Sequence, residues 1–311
     1  MIYPPPLAAG SRIRVVVPAS PVKLPYMERG LAWLAAQGWQ PVWSGRGTVA
    51  HFYTAGPDDE RAAELVAALG DAEADAVWCA RGGYGCARLL PALDRALPRP
   101  PARPKAVVGC SDATALLIHL LQRWGWVVFH GPMVAGDLGR DPVGADAAYL
   151  AGLLAGAPPR DTVSVEPLAV LRTGPAVTAP LTGGCLSVLA ATLGTPDEWD
   201  TRGRILFLED TQIKPYQLDR LLGQLRAAGK FDEAAGVVFG EMTGCTQHPE
   251  QGYTIQAALG HALGDVGCPV LFGLPSGHCE RPSLALALGA GYRLDPDAGR
   301  LYLEDDWLCP R

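Results

Sequence analysis

Along the first half of the chain, short apolar runs alternate with longer amphipathic stretches. RIRVVV at 12–17, PVW at 41–43, AVWCA at 76–80, AVVG at 106–109 and WVVF at 126–129 read as strands. Between them, MERGLAWLAAQG at 27–38 reads as a helix closed by Gly38. DDERAAELVAALG at 58–70 has an acidic first turn, sets Leu65, Val66 and Leu69 on one face and stops at a glycine. Strands separated by helices of this length predict βαβ units and a largely parallel sheet. From about 136 to 180 the periodicity weakens, and GAPPRDTVSVEP and RTGPAV read as connecting structure. It returns in ILFLED at 205–210, a buried strand ending in acids. YQLDRLLGQLRAAG at 216–229 follows as a helix with Leu218, Leu221, Leu222 and Leu225 in register, then GVVFG at 236–240 as a strand. SLALAL at 283–288 alternates with period two, and YRLDPDAGRLYL at 292–303 predicts an antiparallel hairpin around DPDAG. The fold class is therefore α/β, in two domains. An N-terminal domain spans 1–135, a connecting segment 136–180 and a mixed C-terminal domain 181–311.

Composition narrows the partners. The 311 residues are 49% hydrophobic and 19% charged with a net charge of −6, so no basic face is offered to nucleic acid. The one basic-looking stretch, LPRPPARPK at 97–105, is short and Pro-rich and reads as a surface loop. Three consecutive prolines near the start interrupt any signal-peptide core, and no run approaches the ~18–20 apolar residues of a membrane helix. Cys79, Cys86, Cys110, Cys185, Cys245, Cys268, Cys279 and Cys309 are scattered without a CxxC and read as thiols in a reducing compartment. The expected location is the cytoplasm, without membrane attachment.

The most informative chemistry lies in VVGCSDATALLIHLL, residues 107–121. A β-branched run ends in Gly109, Cys110 and Ser111, and an amphipathic helix begins at once. Two readings fit Ser111: a helix N-cap, or a nucleophile on a strand-to-helix elbow. Ala113 stands where the G-x-S-x-G elbow has its second glycine. A nucleophile needs a base and a carboxylate to orient that base. Of the six histidines, His119 lies within the helix after Ser111, too far along it to reach back, and reads as packed or partly exposed. His130 follows a strand; His51, His248 and His261 sit in ordinary polar or helical settings. His278, in the Pro/Gly-rich loop LPSGHCERP, has the setting of a catalytic group. Glu209 and Asp210 end the apolar strand ILFLE; because adjacent strand residues face opposite sides, either acid is a candidate. ARGGYGCARLL at 80–90 fails the dinucleotide pattern, since Arg88 stands at the last glycine, but suits an anion-accepting turn. No metal-ligand spacing appears.

Taken together, ARGGYG, GCSDATALL, LTGGCLSVL, LFLEDTQIKPYQLDRLLGQL and GLPSGH, with AGPDDERAAEL at 55–65, resemble the LD-carboxypeptidases of serine peptidase family S66, over about 15–288. That family also holds the immunity peptidases that inactivate microcin C. The resemblance implies a flavodoxin-like or Rossmann-like parallel-sheet domain, a smaller mixed α/β domain and a homodimer. It puts the nucleophile on Ser111, the catalytic glutamate on Glu209 and the catalytic histidine on His278. The oxyanion hole falls on the backbone N–H groups of Asp112 and Gly83. Neither metal nor organic cofactor is expected. Cys110 replaces an aromatic residue common before the serine, Cys185 stands where GGN is usual, and Ile213 replaces a second glutamate. The implied substrate is a cytoplasmic murein tetrapeptide that loses its terminal D-Ala by cleavage of an L,D bond, in peptidoglycan recycling. The rivals are a peptidyl or aminoacyl adenylate analogue and, outside catalysis, a silent ligand-binding protein.

Overall fold

The computed structural model describes residues 1–140, 146–158, 163–164, 166–246, 250 and 252–304; His248 and Cys309 lie outside them, as do parts of the connecting segment. Two compact units divide the chain: Met1–Pro159 with Pro282–Ala287, and Arg160–Arg281 with Leu288–Asp305.

The first unit is built on β1 (Arg12–Val16), β2 (Gln40–Trp43), β3 (Ala76–Cys79), β4 (Ala106–Gly109) and β5 (Val128–His130). Its helices are α1 (Leu24–Ala36), α2 (Asp58–Gly70), α3 (Leu90–Ala96), α4 (Thr114–Trp124) and α5 (Ala147–Ala155). All four pairings among β1–β5 are parallel, in the order β2-β1-β3-β4-β5. That is the flavodoxin-like arrangement, in which ligands bind beyond the carboxyl ends of the strands near the point where strand order reverses. Strands β3 and β4 are buried at every position, which is why they read as continuous apolar runs. Helix α1 starts three residues before its predicted start, with a proline in its first turn, where the missing N–H costs nothing.

The second unit contains β6 (Ala169–Arg172), β7 (Val177–Cys185), α6 (Leu186–Ala190), β8 (Ile205–Glu209), α7 (Pro215–Ala227), β9 (Gly236–Gly240), α8 (Ile255–Leu263) and β10 (Val270–Leu274). After β11 (Leu286–Leu288), which joins the edge of the first sheet beside β5, come β12 (Gly291–Asp295) and β13 (Arg300–Leu303). The order is β13-β12-β7-β8-β9-β10-β6, parallel from β7 to β10 and antiparallel at both margins. The predicted hairpin is present as β12–β13. Among the described residues, no helix is long and apolar enough to cross a membrane.

Candidate active site

The serine turn follows from steric necessity. Cys110 leaves β4 in extended conformation, and Ser111 then adopts φ +60°, a left-handed geometry that a β-substituted residue enters at a cost of about 1–3 kcal/mol. One tight turn, Ser111–Ala113, leads into α4. A Cβ placed on Gly109 would stand 2.7 Å from Cβ of Ala113. The residues two before and two after the serine therefore touch, and the elbow needs only that both be small. Ala113 in place of glycine leaves the turn intact.

Beyond β3, the residues of ARGGYGC fold against this serine. A Cβ on Gly82 would lie 2.6 Å from Cβ and 2.8 Å from Oγ of Ser111, and 3.3 Å from the Asp112 nitrogen. Gly83 and Gly85, at φ +115° and +129°, take conformations that other residues rarely enter. The turn is held from several directions. The Ser20 backbone N–H donates to the Gly82 carbonyl at 3.3 Å, and Ser20 Oγ accepts from the Tyr84 N–H at 3.2 Å. Buried Arg61 donates to the carbonyls of Gly85 (3.2 Å), Gly56 (3.0 Å) and Pro18, and pairs with Asp58. Asp112 Oδ2 accepts the Cys86 N–H at 2.8 Å, joining the Gly-rich turn to the serine turn. Asp112→Ala leaves that buried N–H without its acceptor; urea unfolding should show a loss of about 1–3 kcal/mol. Burial, with the Asp112 charge adding to it, pushes the Cys79 thiol up to about 12 and drives Cys86 well above the ordinary thiol range. These neighbouring sulfurs therefore stay protonated near neutral pH and are poor nucleophiles.

In the second unit, β8 carries Glu209 at its end, 1% exposed. One oxygen, Oε2, accepts both the His278 backbone N–H at 3.0 Å and its ring Nδ1 at 2.8 Å. With Nδ1 donating there, the lone pair of a neutral imidazole sits on Nε2. Two glycines make room for the carboxylate: a Cβ on Gly240 would stand 2.7 Å from Glu209 Cβ, and one on Gly277 2.5 Å from its Oε2. Asp210 turns the other way, its carboxylate accepting the N–H groups of Ser187 and Thr211, both at 2.8 Å. Of the two candidate acids, Glu209 is the one brought to His278. Cys185, paired in register with Glu209, has its thiol pushed well above its ordinary value by burial and then by the Glu209 and Asp210 charges.

Other histidines have different surroundings. His119 is packed, fully buried in α4 and 3.2 Å from Asp94; His130 is buried in β5; His51 and His261 are exposed. Arg61, Gly82 and Gly277 lie inside motifs that the sequence singles out, AGPDDERAAEL, ARGGYG and GLPSGH, but their individual roles, like those of Ser20 and Gly240, depend on close approach and leave no local sign.

Chemically, the first unit presents a hydroxyl beside the backbone amides of a glycine turn and of Asp112. The second presents an imidazole oriented by a buried carboxylate. These are the parts of a base-activated nucleophile and an anion-stabilising turn.

Residues 13–131 match the LD-carboxypeptidase N-terminal domain and residues 178–294 the LD-carboxypeptidase C-terminal domain. A probable murein peptide carboxypeptidase of Bacillus subtilis is 38% identical over 92% of this chain and 89% of its own. The crystal structure of muramoyltetrapeptide carboxypeptidase from Oxalobacter formigenes superposes with a TM-score of 0.80 at 27% identity, covering 94% of this chain and 97% of that one. The wild-type apo structure of the microcin C7 self immunity protein MccF shares the fold, with a TM-score of 0.87 at 24% identity over 99% of this chain and 100% of that one. With both domain families matched in order, the chain belongs to the LD-carboxypeptidases, the S66 peptidases, and is an enzyme of that family.

Proposed function

We propose that the enzyme is a serine LD-carboxypeptidase that removes the terminal D-Ala from a murein tetrapeptide by cleaving the L,D bond. Ser111 Oγ attacks the scissile carbonyl as His278 Nε2 takes its proton. Glu209 holds the ring and stabilises the imidazolium. The N–H groups of Asp112 and Gly83 receive the developing oxyanion. His278 then returns the proton to the leaving D-Ala nitrogen as the C–N bond breaks. Water, deprotonated by the same imidazole, hydrolyses the acyl-enzyme and frees the tripeptide and Ser111. In the same reading the enzyme works in the cytoplasm, as a homodimer, on a small peptide.

The observation that carries the mechanism is the Glu209–His278 pair, a buried carboxylate accepting from Nδ1 at 2.8 Å. The substrate reading is supported by the B. subtilis and O. formigenes relatives, named for murein peptides. The aminoacyl-nucleotide reading remains its rival, because the microcin C7 self-immunity protein MccF of Escherichia coli, whose structure is known with aspartyl sulfamoyl adenosine, is 26% identical over 97% of this chain. Incubation with murein tetrapeptide and, separately, with an aminoacyl sulfamoyl adenosine, followed by mass spectrometry, decides between them. Release of D-Ala from the first with no cleavage of the second is expected. Cleavage of the nucleotide alone would establish the rival, and cleavage of neither would refute both substrate readings.

A further inference from the structure

A group of cations beside the Gly-rich turn has no role in the proposed triad. Arg81 directly precedes Gly82, is half-buried, and donates Nη1 to the Pro21 carbonyl at 2.9 Å. Arg140 follows a π-type turn (Val134–Leu138) that is tied to the end of β3 by the Ala135 N–H, which donates to the Ala80 carbonyl at 2.7 Å. The same segment lies against α1, where Arg29 Nε donates to the Gly139 carbonyl at 2.7 Å. Around the Tyr26 ring stand Arg29 at 4.9 Å, Arg140 at 5.8 Å and Lys23 at 5.9 Å. Among the described residues, none of these four cations forms an ion pair with a carboxylate. In the same unit, Arg14, Arg46, Arg61, Arg88 and Arg103 each do.

Burial, and after it the Arg140 charge, holds the Arg81 guanidinium below its ordinary value. A partly desolvated cation beside a second one is unfavourable until an anion joins them. The planar fork of an arginine matches the two oxygens of a carboxylate. In the peptide of a carboxypeptidase, the terminal carboxyl carbon is only two bonds beyond the scissile nitrogen. Arg81 is the residue directly before Gly82, which packs on Ser111, and this adjacency makes its guanidinium the candidate partner for that carboxylate.

We infer that Arg81, assisted by Arg140, binds the free carboxylate of the substrate's C-terminal residue and so restricts cleavage to chain ends. This assignment rests on the carboxypeptidase reading above. It is tested with two tetrapeptides identical except that one ends in a carboxylate and the other in a carboxamide. Wild type should favour the acid in kcat/KM by about 100-fold, the scale of a charge-assisted bidentate contact. Arg81→Gln should lower kcat/KM for the acid by about 100-fold and for the amide by less than about 3-fold, so that the preference collapses. Arg140→Gln should lower the acid value alone, by about 10-fold. An equal fall on both peptides, or a wild type indifferent to the end group, overturns the assignment. Release of nothing from either peptide by wild type overturns the carboxypeptidase reading instead. Calorimetry with N-acetyl-D-alanine then decides the carboxylate site: binding lost in Arg81→Gln sustains it, and no binding to wild type refutes it.

Discussion

Replacing Ser111 with alanine is expected to lower kcat for D-Ala release by about 10⁶-fold, the scale seen when an acyl-transfer nucleophile is removed. The residual rate would come from the oxyanion donors and from substrate binding. Stability should respond differently, because the strain at Ser111 lies in its backbone. Alanine at φ +60° keeps that strain, so its unfolding free energy should stay near wild type. Ser111→Gly should be equally inactive and yet more stable, by about 1 kcal/mol, because glycine enters the left-handed region freely. The pair of variants separates two ideas that one knock-out confounds. Wild-type turnover in Ser111→Ala removes the serine from the mechanism. An unstabilised Ser111→Gly shows that the turn is not under strain. A helix cap alone would produce neither the collapse in rate nor the gain in stability.

What the sequence disclosed depended on whether a feature is local. Helix α2 was readable to the residue because acids crowd its first turn and a glycine ends it. Strand β4, buried on both faces, announced itself as an unbroken apolar run. SLALAL misled in one respect: its alternation suggests one wet face, yet Ser283, Leu284, Ala285, Leu286, Ala287 and Leu288 are all buried. The alternation is one of side-chain size, and only three of the six residues form strand. Helix α5 escaped notice because AAYLAGLLA is apolar nearly all round and has no polar stripe to mark its period. Strand β7 was hidden behind Pro180, which reads as loop. In the candidate site, motif order singled out Ser111, Glu209 and His278. The strand pattern alone left Glu209 and Asp210 open, because neighbours on a strand face opposite ways, and the resemblance pointed to Glu209; in the structure Glu209 accepts from His278 while Asp210 accepts from Ser187. Contacts such as Gly82 on Ser111 or Gly277 on Glu209 leave no periodic trace, since they exist only after distant turns have come together.

Glu209→Gln is expected to lower kcat by about 10⁴-fold with little loss of stability, the effect of neutralising the acid of a nucleophile–histidine–acid triad. Glutamine has the shape that Gly240 and Gly277 accommodate, and its amide oxygen can still accept the His278 N–H groups. What it lacks is the charge that favours the imidazolium formed as Ser111 loses its proton. Glu209→Ala should lose as much activity, and about 2–4 kcal/mol of stability as well, because it leaves a cavity at a buried position and strips the half-buried His278 N–H of its acceptor. The decisive measurement is the double variant Ser111→Ala with Glu209→Gln. If the glutamate acts only through His278 on Ser111, there is no serine left to activate, and the double variant should be no slower than Ser111→Ala alone. Multiplicative losses would mean that Glu209 serves the reaction by a separate route. Unchanged turnover in Glu209→Gln would show that the 2.8 Å pair is structural. The charge of one buried oxygen, with shape and hydrogen bonding retained, is thereby isolated from every other property of the residue.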